Sequence, residues 1–300
     1  MSKPGKLFIY LISFVAISLW GLSYIWSDRI LSMGIPVECF VPIRILLAGV
    51  LLLIANLCCG YSIRLHKEDA LPFLLLALCE PFIYFFCETY GIQLTESPTI
   101  SALVIATTPI FAAIAGILFF KERVSWLNVI GILVCLGGLL LVTHARTSTG
   151  RYFIYGILVL LIAVFAEVSH VSFTKSLSDR YAPSVIVMYQ FLFGTVYFLP
   201  LFLTRGLEHF DPALYLSMDF IKPLLALAVL CSSLAFSLMA TSIKHLGVAK
   251  SSIFLAMIPV ATALFGFILG DERLCGLQWV GLTIACTGLI LTQIASKKKA

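Results

Sequence analysis

The chain has 300 residues, of which 61% are hydrophobic and only 12% are charged. A soluble domain has roughly twice that fraction of charged residues, so the composition excludes an ordinary soluble protein. The formal net charge of +5 arises from lysines and arginines near helix ends, and it gives no reason to expect nucleic acid as a partner. The sequence therefore predicts an all-α membrane protein that crosses the lipid bilayer many times.

Apolar runs of about 20 residues, the length that crosses a bilayer, follow one another along the whole chain. The first run follows Lys3 and Lys6, and we expect it to remain as a helix rather than to be cleaved as a signal peptide. The ten predicted spans are 7–27, 37–59, 70–92, 97–120, 125–144, 153–176, 183–204, 221–243, 248–269 and 276–295. The connections are short, so any chemistry is expected within the membrane.

The lysines and arginines predict how the spans are oriented. With both termini in the cytoplasm, the inner segments carry 13 of these residues and the outer loops carry 6. Cytoplasmic segments of membrane proteins are enriched in positive charge. The counts favour cytoplasmic termini, and we expect a multi-pass protein of a bacterial inner (plasma) membrane.

An internal repeat is visible in the sequence. Residues 97–141 align with residues 247–291 without a gap, at an offset of 150, and twelve of the 45 positions are identical. Pro109 aligns with Pro259, and the alignment also matches several glycines and a Glu-Arg pair. Shared hydrophobic composition does not produce such matches of proline, glycine and charge together.

A weaker match near offset 146 places Arg44 against Gln190. Each repeat then contains five spans, the first over 1–145 and the second over 146–300. An odd number of spans turns the second copy upside down relative to the first. Inverted repeats with a working site between them are typical of secondary transporters.

Several of these features together resemble a known family. Trp20-Gly21 in the first span, Arg44 in the second, a proline in the fourth and ninth, and a glutamate followed nine residues later by glycine resemble EamA-type carriers of the drug/metabolite transporter superfamily. The resemblance covers essentially the whole chain in two copies. It implies ten helices in two inverted repeats around a central cavity, lined mainly by helices 1, 3, 4, 6, 8 and 9. It also implies alternating access and the export or exchange of small metabolites. The second copy departs from the pattern at Ala166-Glu167, where an aromatic-small pair is expected.

The third span contains two acidic residues. A carboxylate in hydrocarbon costs on the order of 3 kcal/mol, so Glu80 and Glu88 require an explanation. Together with Tyr84 they form one stripe of the helix, because residues four apart share a face. They can bind a cationic group or exchange a proton in a cavity. Alternatively, one of them pairs with Arg44, which is favoured as a residue that holds helices together.

The sixth span carries Glu167 and His170, which are three residues apart and share a face. Ionisable pairs inside a membrane are candidates for a functional role, and a satisfied polar cluster is the equal alternative. Two ligands do not make a metal site, so no metal is expected.

Pro109 and Pro259 are predicted at matching positions in the middle of the fourth and ninth helices. Each removes one backbone hydrogen bond, which makes them candidate hinges for alternating access, or else static kinks. Thr107 and its neighbour Thr108 can satisfy the freed backbone, and Thr107 is also a candidate substrate-binding residue.

Aromatic and small residues complete the predictions. Trp20, Tyr24, Tyr84 and Phe236 are the candidate walls of the cavity. Glycines spaced seven apart in the fifth and tenth spans predict close helix packing; these are Gly131, Gly138, Gly281 and Gly288.

The sequence favours a secondary transporter for a small metabolite, with an amino acid or related amphipathic compound as the leading class. No nucleotide-binding loop is present, so a proton gradient, exchange or facilitated flux is expected to drive it. The expected partners are a small-molecule substrate, the lipid bilayer and protons, with no cofactor, for a monomer or homodimer. The alternatives are an intramembrane enzyme that uses Glu167 and His170, or a channel.

Overall fold

A computed structural model gives the structure of the chain, and it describes residues 6–108, 110–111, 126–144, 151–206, 211–246, 254–255, 257–270 and 273–297. In these ranges, all regular secondary structure is helical. The main helices are α1 (Lys6–Ser32), α2 (Val37–Cys58), α3 (Lys67–Thr95), α4 (Pro98–Ile105), α5 (Trp126–His144), α6 (Phe153–Leu177), α7 (Pro183–Gly206), α8 (Met218–Leu246), α9 (Ile258–Leu269) and α10 (Gly276–Lys297). A single helical turn, Pro212–Tyr215, precedes α8.

The described helices form a membrane protein. Helices α1, α2, α3, α6, α7 and α8 are each long and apolar enough to cross a bilayer. Large apolar side chains are exposed on their outer faces, among them Leu11 and Phe14 on α1 and Ile162 on α6. So much exposed apolar surface is suited to lipid and not to water. The predicted all-α membrane class is confirmed.

The helices pack in a regular pattern of pairs. α2 lies against α7, and α5 lies against α10. α1 packs against α8 and α9, while α6 packs against α3 and α4. α4 and α9 also touch each other. The interior that these contacts enclose is where α1, α3, α4, α6, α8 and α9 meet.

Polar contacts between the loops indicate which helix ends lie on the same side. Asp69, at the start of α3, binds the guanidinium of Arg180 at 2.8 Å and accepts a hydrogen bond from the Tyr181 hydroxyl at 2.9 Å. The start of α3 and the α6–α7 connection therefore lie together. On the opposite side, the Tyr90 hydroxyl near the end of α3 donates to Glu38 at the start of α2 at 2.6 Å. α2 and α3 thus run in opposite directions.

Helix α3 is broken at Glu80, in the middle of its length. The φ and ψ of Glu80 are −146° and 122°, which is an extended conformation. A residue that precedes proline is pushed towards this region because the proline ring clashes with a helical neighbour. Pro81 also lacks the N–H that a helix needs. The chain therefore kinks between Glu80 and Pro81.

The fourth span differs from its prediction. A helix is predicted over 97–120, with a kink at Pro109, but α4 ends at Ile105, the chain turns at Ala106 and Thr107, and helical structure resumes at Thr108. Proline has no N–H to donate to the carbonyl four residues before it, which here is that of Ile105, so a continuous helix loses this bond. Pro109 itself lies outside the described residues.

The ninth span also differs. Pro259 is predicted in the middle of a helix over 248–269, but it lies in the first turn of α9, directly after a turn at Met257. Proline is favoured in a first turn because the N–H groups there have no acceptor inside the helix. The prediction that Pro259 lies in the middle of a helix is therefore wrong.

Glycine lets α5 and α10 approach until their backbones touch. A Cβ added to Gly138 would lie 2.3 Å from the backbone nitrogen of Ala285, and one added to Gly288 would lie 2.4 Å from the backbone nitrogen of Cys135. A Cβ on Gly281 would lie 2.9 Å from the carbonyl oxygen of Gly138. The close packing that the glycine spacing predicts is confirmed for this pair of helices.

Gly138→Ala is expected to destabilise the protein, because the new methyl group meets backbone atoms that cannot turn away. Overpacking of this kind costs about 1–3 kcal/mol. The matched control is Gly137→Ala, since a Cβ there meets no atom within 4 Å. Thermal unfolding in detergent should show a lower midpoint for Gly138→Ala alone. Equal midpoints for the two variants would contradict the packing.

Candidate functional site

A cavity lies at the centre of the bundle, between the six helices that meet there. The space in it that the centre of a water molecule can occupy is about 30 Å³. The wall is mainly aromatic and apolar, with four ionisable side chains. It consists of Trp20, Ser23, Tyr24, Arg44, Glu80, Tyr84, Phe85, Glu88, Ile105, Thr108, Glu167, Phe236, Leu255 and Ile258. Pockets with apolar walls and a few converging polar groups are typical of small-molecule sites.

The break in α3 directs Glu80 towards this cavity. Pro81 packs against α7 at Gly194, where an added Cβ would lie 2.2 Å from the proline ring. The glycine therefore makes room for the displaced turn of α3. Glu80 is 2% exposed and points to the opposite side of α3, towards α6.

Three ionisable side chains converge where α3 meets α6; we call Glu80, Glu167 and His170 the acidic cluster. Nδ1 of His170 lies 2.7 Å from Oε2 of Glu80 and 3.4 Å from Oε2 of Glu167. Nε2 of His170 lies 3.2 Å from the Thr174 hydroxyl. The short contact to Glu80 is not aligned as a hydrogen bond, and neither of its two atoms makes a hydrogen bond among the described residues, so electrostatic attraction holds the three side chains together. The cluster can therefore gain or lose a proton as one coupled unit.

Glu80 adds a third possible metal ligand to Glu167 and His170. One atom from each of the three side chains lies within 4.8 Å of the others. Two ligands of one tetrahedral metal ion are about 3.4 Å apart, given bonds near 2.1 Å. The 2.7 Å contact between Glu80 and His170 is shorter than this, and it is the distance expected of a charged pair or a shared proton. The geometry fits a proton better than a metal ion.

Arg44 forms the opposite pole of the cavity. Its Nε donates a hydrogen bond to the Ser232 hydroxyl at 2.8 Å, and its guanidinium carbon lies 4.4 Å from the centre of the Phe85 ring. The guanidinium also attracts the carboxylate of Glu88. Arg44 is 2% exposed, so these contacts replace the water that it has lost. It therefore joins α2, α3 and α8 and also lines the cavity.

Aromatic side chains form the wall between the two poles. Trp20 and Phe236 pack edge to face with ring centres 4.9 Å apart. The Trp20 ring nitrogen donates to the Cys231 carbonyl at 3.2 Å, within a stretch of α8 where the helix widens to π-helical geometry. The hydroxyls of Tyr24 and Tyr84 are 3.4 Å apart. The four aromatic residues predicted as cavity walls all lie on it.

The turns that interrupt the fourth and ninth spans form the remaining wall. The Thr107 hydroxyl donates to the Val104 carbonyl, and the Thr108 hydroxyl donates to the Ile105 carbonyl, both at 2.6 Å. Thr107 is thus occupied by its own backbone, and Thr108 is the threonine that lines the cavity. Hydroxyls satisfy carbonyl groups that the interrupted helix leaves free.

Sequence reasoning missed the contact between Glu80 and His170. It also missed Ser232, the partner of Arg44, and five wall residues, which are Ser23, Phe85, Ile105, Leu255 and Ile258. Repeat and period analysis identifies the face of one helix, but it does not specify how two helices are rotated against each other. Phe85 could have been found from its place beside Tyr84 on the acidic stripe. Ser23 and Ser232 give no signal, because isolated serines are common in membrane helices.

A family comparison matches the chain twice. The model of the EamA-like transporter family covers residues 7–144 and again residues 154–294. Together the two matches include nearly all of the helices described above.

Three relatives and one solved structure are similar over most of the chain. The uncharacterized transporter YetK of Bacillus subtilis is 26% identical over 88% of this chain and 80% of its own. A probable terminal-alkyne amino-acid exporter of Streptantibioticus cattleyicolor is 27% identical over 64% of this chain and 62% of its own. A probable amino-acid metabolite efflux pump of Escherichia coli is 23% identical over 70% of this chain and 71% of its own. A protein of known crystal structure has the same fold, with a TM-score of 0.72 and 17% sequence identity. The match covers 99% of this chain and 100% of that chain.

Arg44→Met is expected to destabilise the protein, because it leaves the buried carboxylate of Glu88 without its positive neighbour. Leaving a buried charged group without its compensating partner costs about 1–3 kcal/mol or more. Adding Glu88→Gln removes the stranded charge, so the double variant should be more stable than Arg44→Met alone. Unfolding of the two single variants and the double variant measures the coupling. Strictly additive losses would show that the two residues do not act on each other.

Proposed function

The chain belongs to the EamA-like transporter family, and we propose that it is a secondary transporter for an amino acid or a related small amphipathic compound. It exports or exchanges this compound by alternating access. The observation that carries the proposal is the central cavity, which has Arg44 at one pole and the acidic cluster at the other. The relatives with assigned roles are named as an amino-acid exporter and an amino-acid metabolite efflux pump.

A cavity with two oppositely charged poles is suited to a zwitterion. Arg44 can bind a carboxylate through its planar guanidinium. Glu80 and Glu167 offer carboxylate oxygens to an ammonium group, at the end where the helix break leaves α3 without regular hydrogen bonds. Trp20 and Phe236 present an apolar wall between the poles for a hydrocarbon side chain. A purely anionic compound would leave the acidic cluster unmatched, and a purely apolar compound would leave both poles unmatched. Either is costly in a buried site.

The helix packing supports the finer architecture that we propose, ten helices in two inverted repeats over 1–145 and 146–300. If each helix of the first five is exchanged for its counterpart in the second five, the contacts are reproduced. The pair α1–α9 becomes α6–α4, and α1–α8 becomes α6–α3, while α2–α7 and α5–α10 map onto themselves. This is the pattern of a two-fold axis in the membrane plane. The excess of positive charge supports cytoplasmic termini in a bacterial inner membrane.

Alternating access requires a site that opens wider than it does in this structure. Only about 30 Å³ of the cavity admits the centre of a water molecule, which is too little for an amino acid. The turns at Thr107 and at Met257 are at matching positions of the two repeats, and residues beside both turns line the cavity. We assign hinge roles to these turns, with Pro109 and Pro259 as the residues that prevent a continuous helix.

Protons are the proposed driving species, and the acidic cluster is their site. Entry of an ammonium group between Glu80 and Glu167 would compete with the proton that the cluster holds. Such competition couples the exit of one cation to the entry of the other, as an antiporter requires. An enzyme or a channel would use the same residues differently. New products made by the purified protein would favour an enzyme, and flux that never saturates would favour a channel.

Glu80→Gln is expected to abolish substrate export while leaving the protein folded, because the amide keeps the size of the carboxylate but cannot carry its charge. Cells that express the wild type should accumulate a specific small compound in the medium, and cells that express Glu80→Gln should retain it. Mass spectrometry of medium and cytoplasm, at equal membrane levels of protein, makes the comparison.

Glu68→Gln is the matched control, since Glu68 is an exposed acidic residue at the start of the same helix. It should export as the wild type does. Export that is equal in all three strains would contradict the proposed role of Glu80. Export lost equally in both variants would indicate a general effect of acidic residues on α3.

A further inference from the structure

A second, smaller cavity lies beside the acidic cluster, between α6, α7 and α8. Trp20, Phe236 and His170 contribute to its wall, and Trp20 and Phe236 also line the central cavity. The edge-to-face pair of these two rings therefore separates the two spaces. The rest of the wall is apolar except for Thr174 and Gln190.

Gln190 is the unusual residue of this cavity. It is fully buried, and neither its amide nitrogen nor its amide oxygen has a hydrogen-bond partner among the described residues. A buried amide without partners is rare in proteins, and it indicates a bound water or ligand at the site. The sequence repeat aligns Gln190 with Arg44, so the two residues occupy matching places in the two halves.

The size and polarity of the small cavity suit one water molecule. It admits the centre of a water molecule over about 10 Å³. A buried water needs about 10–15 Å³ measured in this way, and two to four polar partners. The oxygen and nitrogen of the Gln190 amide and the Thr174 hydroxyl supply three such partners, and the Thr174 hydroxyl is itself bonded to Nε2 of His170 at 3.2 Å.

The small cavity lies towards the predicted cytoplasmic side of the protein. Gln190 is near the start of α7, Thr174 is near the end of α6, and Ile243 is near the end of α8. These three helix ends lie on the side of the bundle where Asp69 binds Arg180. With cytoplasmic termini, this is the inner side, so the small cavity lies between the acidic cluster and the cytoplasm.

We propose that a single buried water joins Gln190 to His170 in this cavity, and that this water is the inner exit for protons from the acidic cluster. The inference rests on the proposed proton-driven transport. In the protonated cluster, the Nε2–H of His170 donates to the Thr174 hydroxyl, while the Nδ1–H stays against Glu80. The Nε2 proton moves to the Thr174 oxygen as the hydroxyl proton moves to the buried water. When the inner side of the site opens, cytoplasmic water accepts one proton from the buried water, so the cluster has lost one proton and the hydroxyl and the water are restored.

The groups that surround His170 are consistent with this route. Glu80 from α3 and Glu167 from α6 act on the ring electrostatically on its Nδ1 side, and Cys79 of α3 is also close. α7 and α8 contribute Gln190 and Phe236, which carry no charge. Nε2 is thus the side of the ring from which a proton can leave without facing a carboxylate. Gln190 acts as a positioning residue for the water.

The test compares Gln190→Leu, which keeps the volume but removes both polar atoms, with Met239→Leu, which changes an apolar residue of the same cavity. Proteoliposomes that contain the pH dye pyranine receive an equimolar mixture of the twenty standard amino acids. Proton movement driven by the mixture should slow at least about tenfold in Gln190→Leu, as expected for loss of a buried hydrogen-bonded relay. Exchange of radiolabelled amino acids, which needs no net proton movement, should remain within about twofold of the wild type. Met239→Leu should match the wild type in both assays.

Equal slowing of proton movement and exchange in Gln190→Leu would overturn the proposed route, and so would no slowing of either. A high-resolution map of the wild-type protein gives a second, independent readout. Density for a water within hydrogen-bonding distance of Gln190 and Thr174 supports the inference, and an empty site overturns it. Failure of the wild type to move any amino acid would instead contradict the proposed function, and the map would still decide on the water.

Discussion

A carboxylate in the middle of a lipid bilayer needs a positive partner, and the described interior is arranged around this need. Glu80 meets His170, and Glu88 is attracted to Arg44. Each partner comes from a different helix, so the charges also hold α3 against α6 and α2. An apolar core could pack these helices with less cost. The protein therefore retains ionisable groups that its stability does not require, and this supports a role in binding and transport.

The breaks in the helices serve the same purpose. Pro81 removes Glu80 from the regular helix and turns it towards α6, and Gly194 of α7 makes room for the displaced turn. The turns at Thr107 and Met257 interrupt two further helices that line the cavity. In lipid, a broken helix must satisfy its backbone groups internally, so these breaks are confined to the protein interior. By contrast, α5 and α10 lie together through close glycine contacts.

Much of the fold follows from the sequence because the physical signals are strong. The length of the apolar runs, the glycine spacing and the residue before Pro81 each act locally, and the structure agrees with them. The candidate wall residues Trp20, Tyr24, Tyr84 and Phe236 were also accessible, since polar and aromatic stripes on a membrane helix face the interior. The contact between Glu80 and His170 was not accessible, because it depends on how α3 and α6 are rotated and displaced against each other. The unpartnered amide of Gln190 was equally hidden, since only the packing of three helices reveals that no polar group of the described residues reaches it.

The central claim is that the cavity recognises both ends of a zwitterion, and binding to the purified protein tests it most directly. Each of the twenty standard amino acids is tested by the shift in thermal unfolding, and any that binds is compared with its decarboxylated amine and its deaminated acid. The account predicts that each analogue binds at least about tenfold more weakly, a loss of about 1.4 kcal/mol or more. It also predicts that Arg44→Met binds the amino acid and its decarboxylated amine equally well. Glu80→Gln is predicted to bind the amino acid and its deaminated acid equally well. Binding of either analogue as tightly as the amino acid, or no binding of any amino acid, would contradict it.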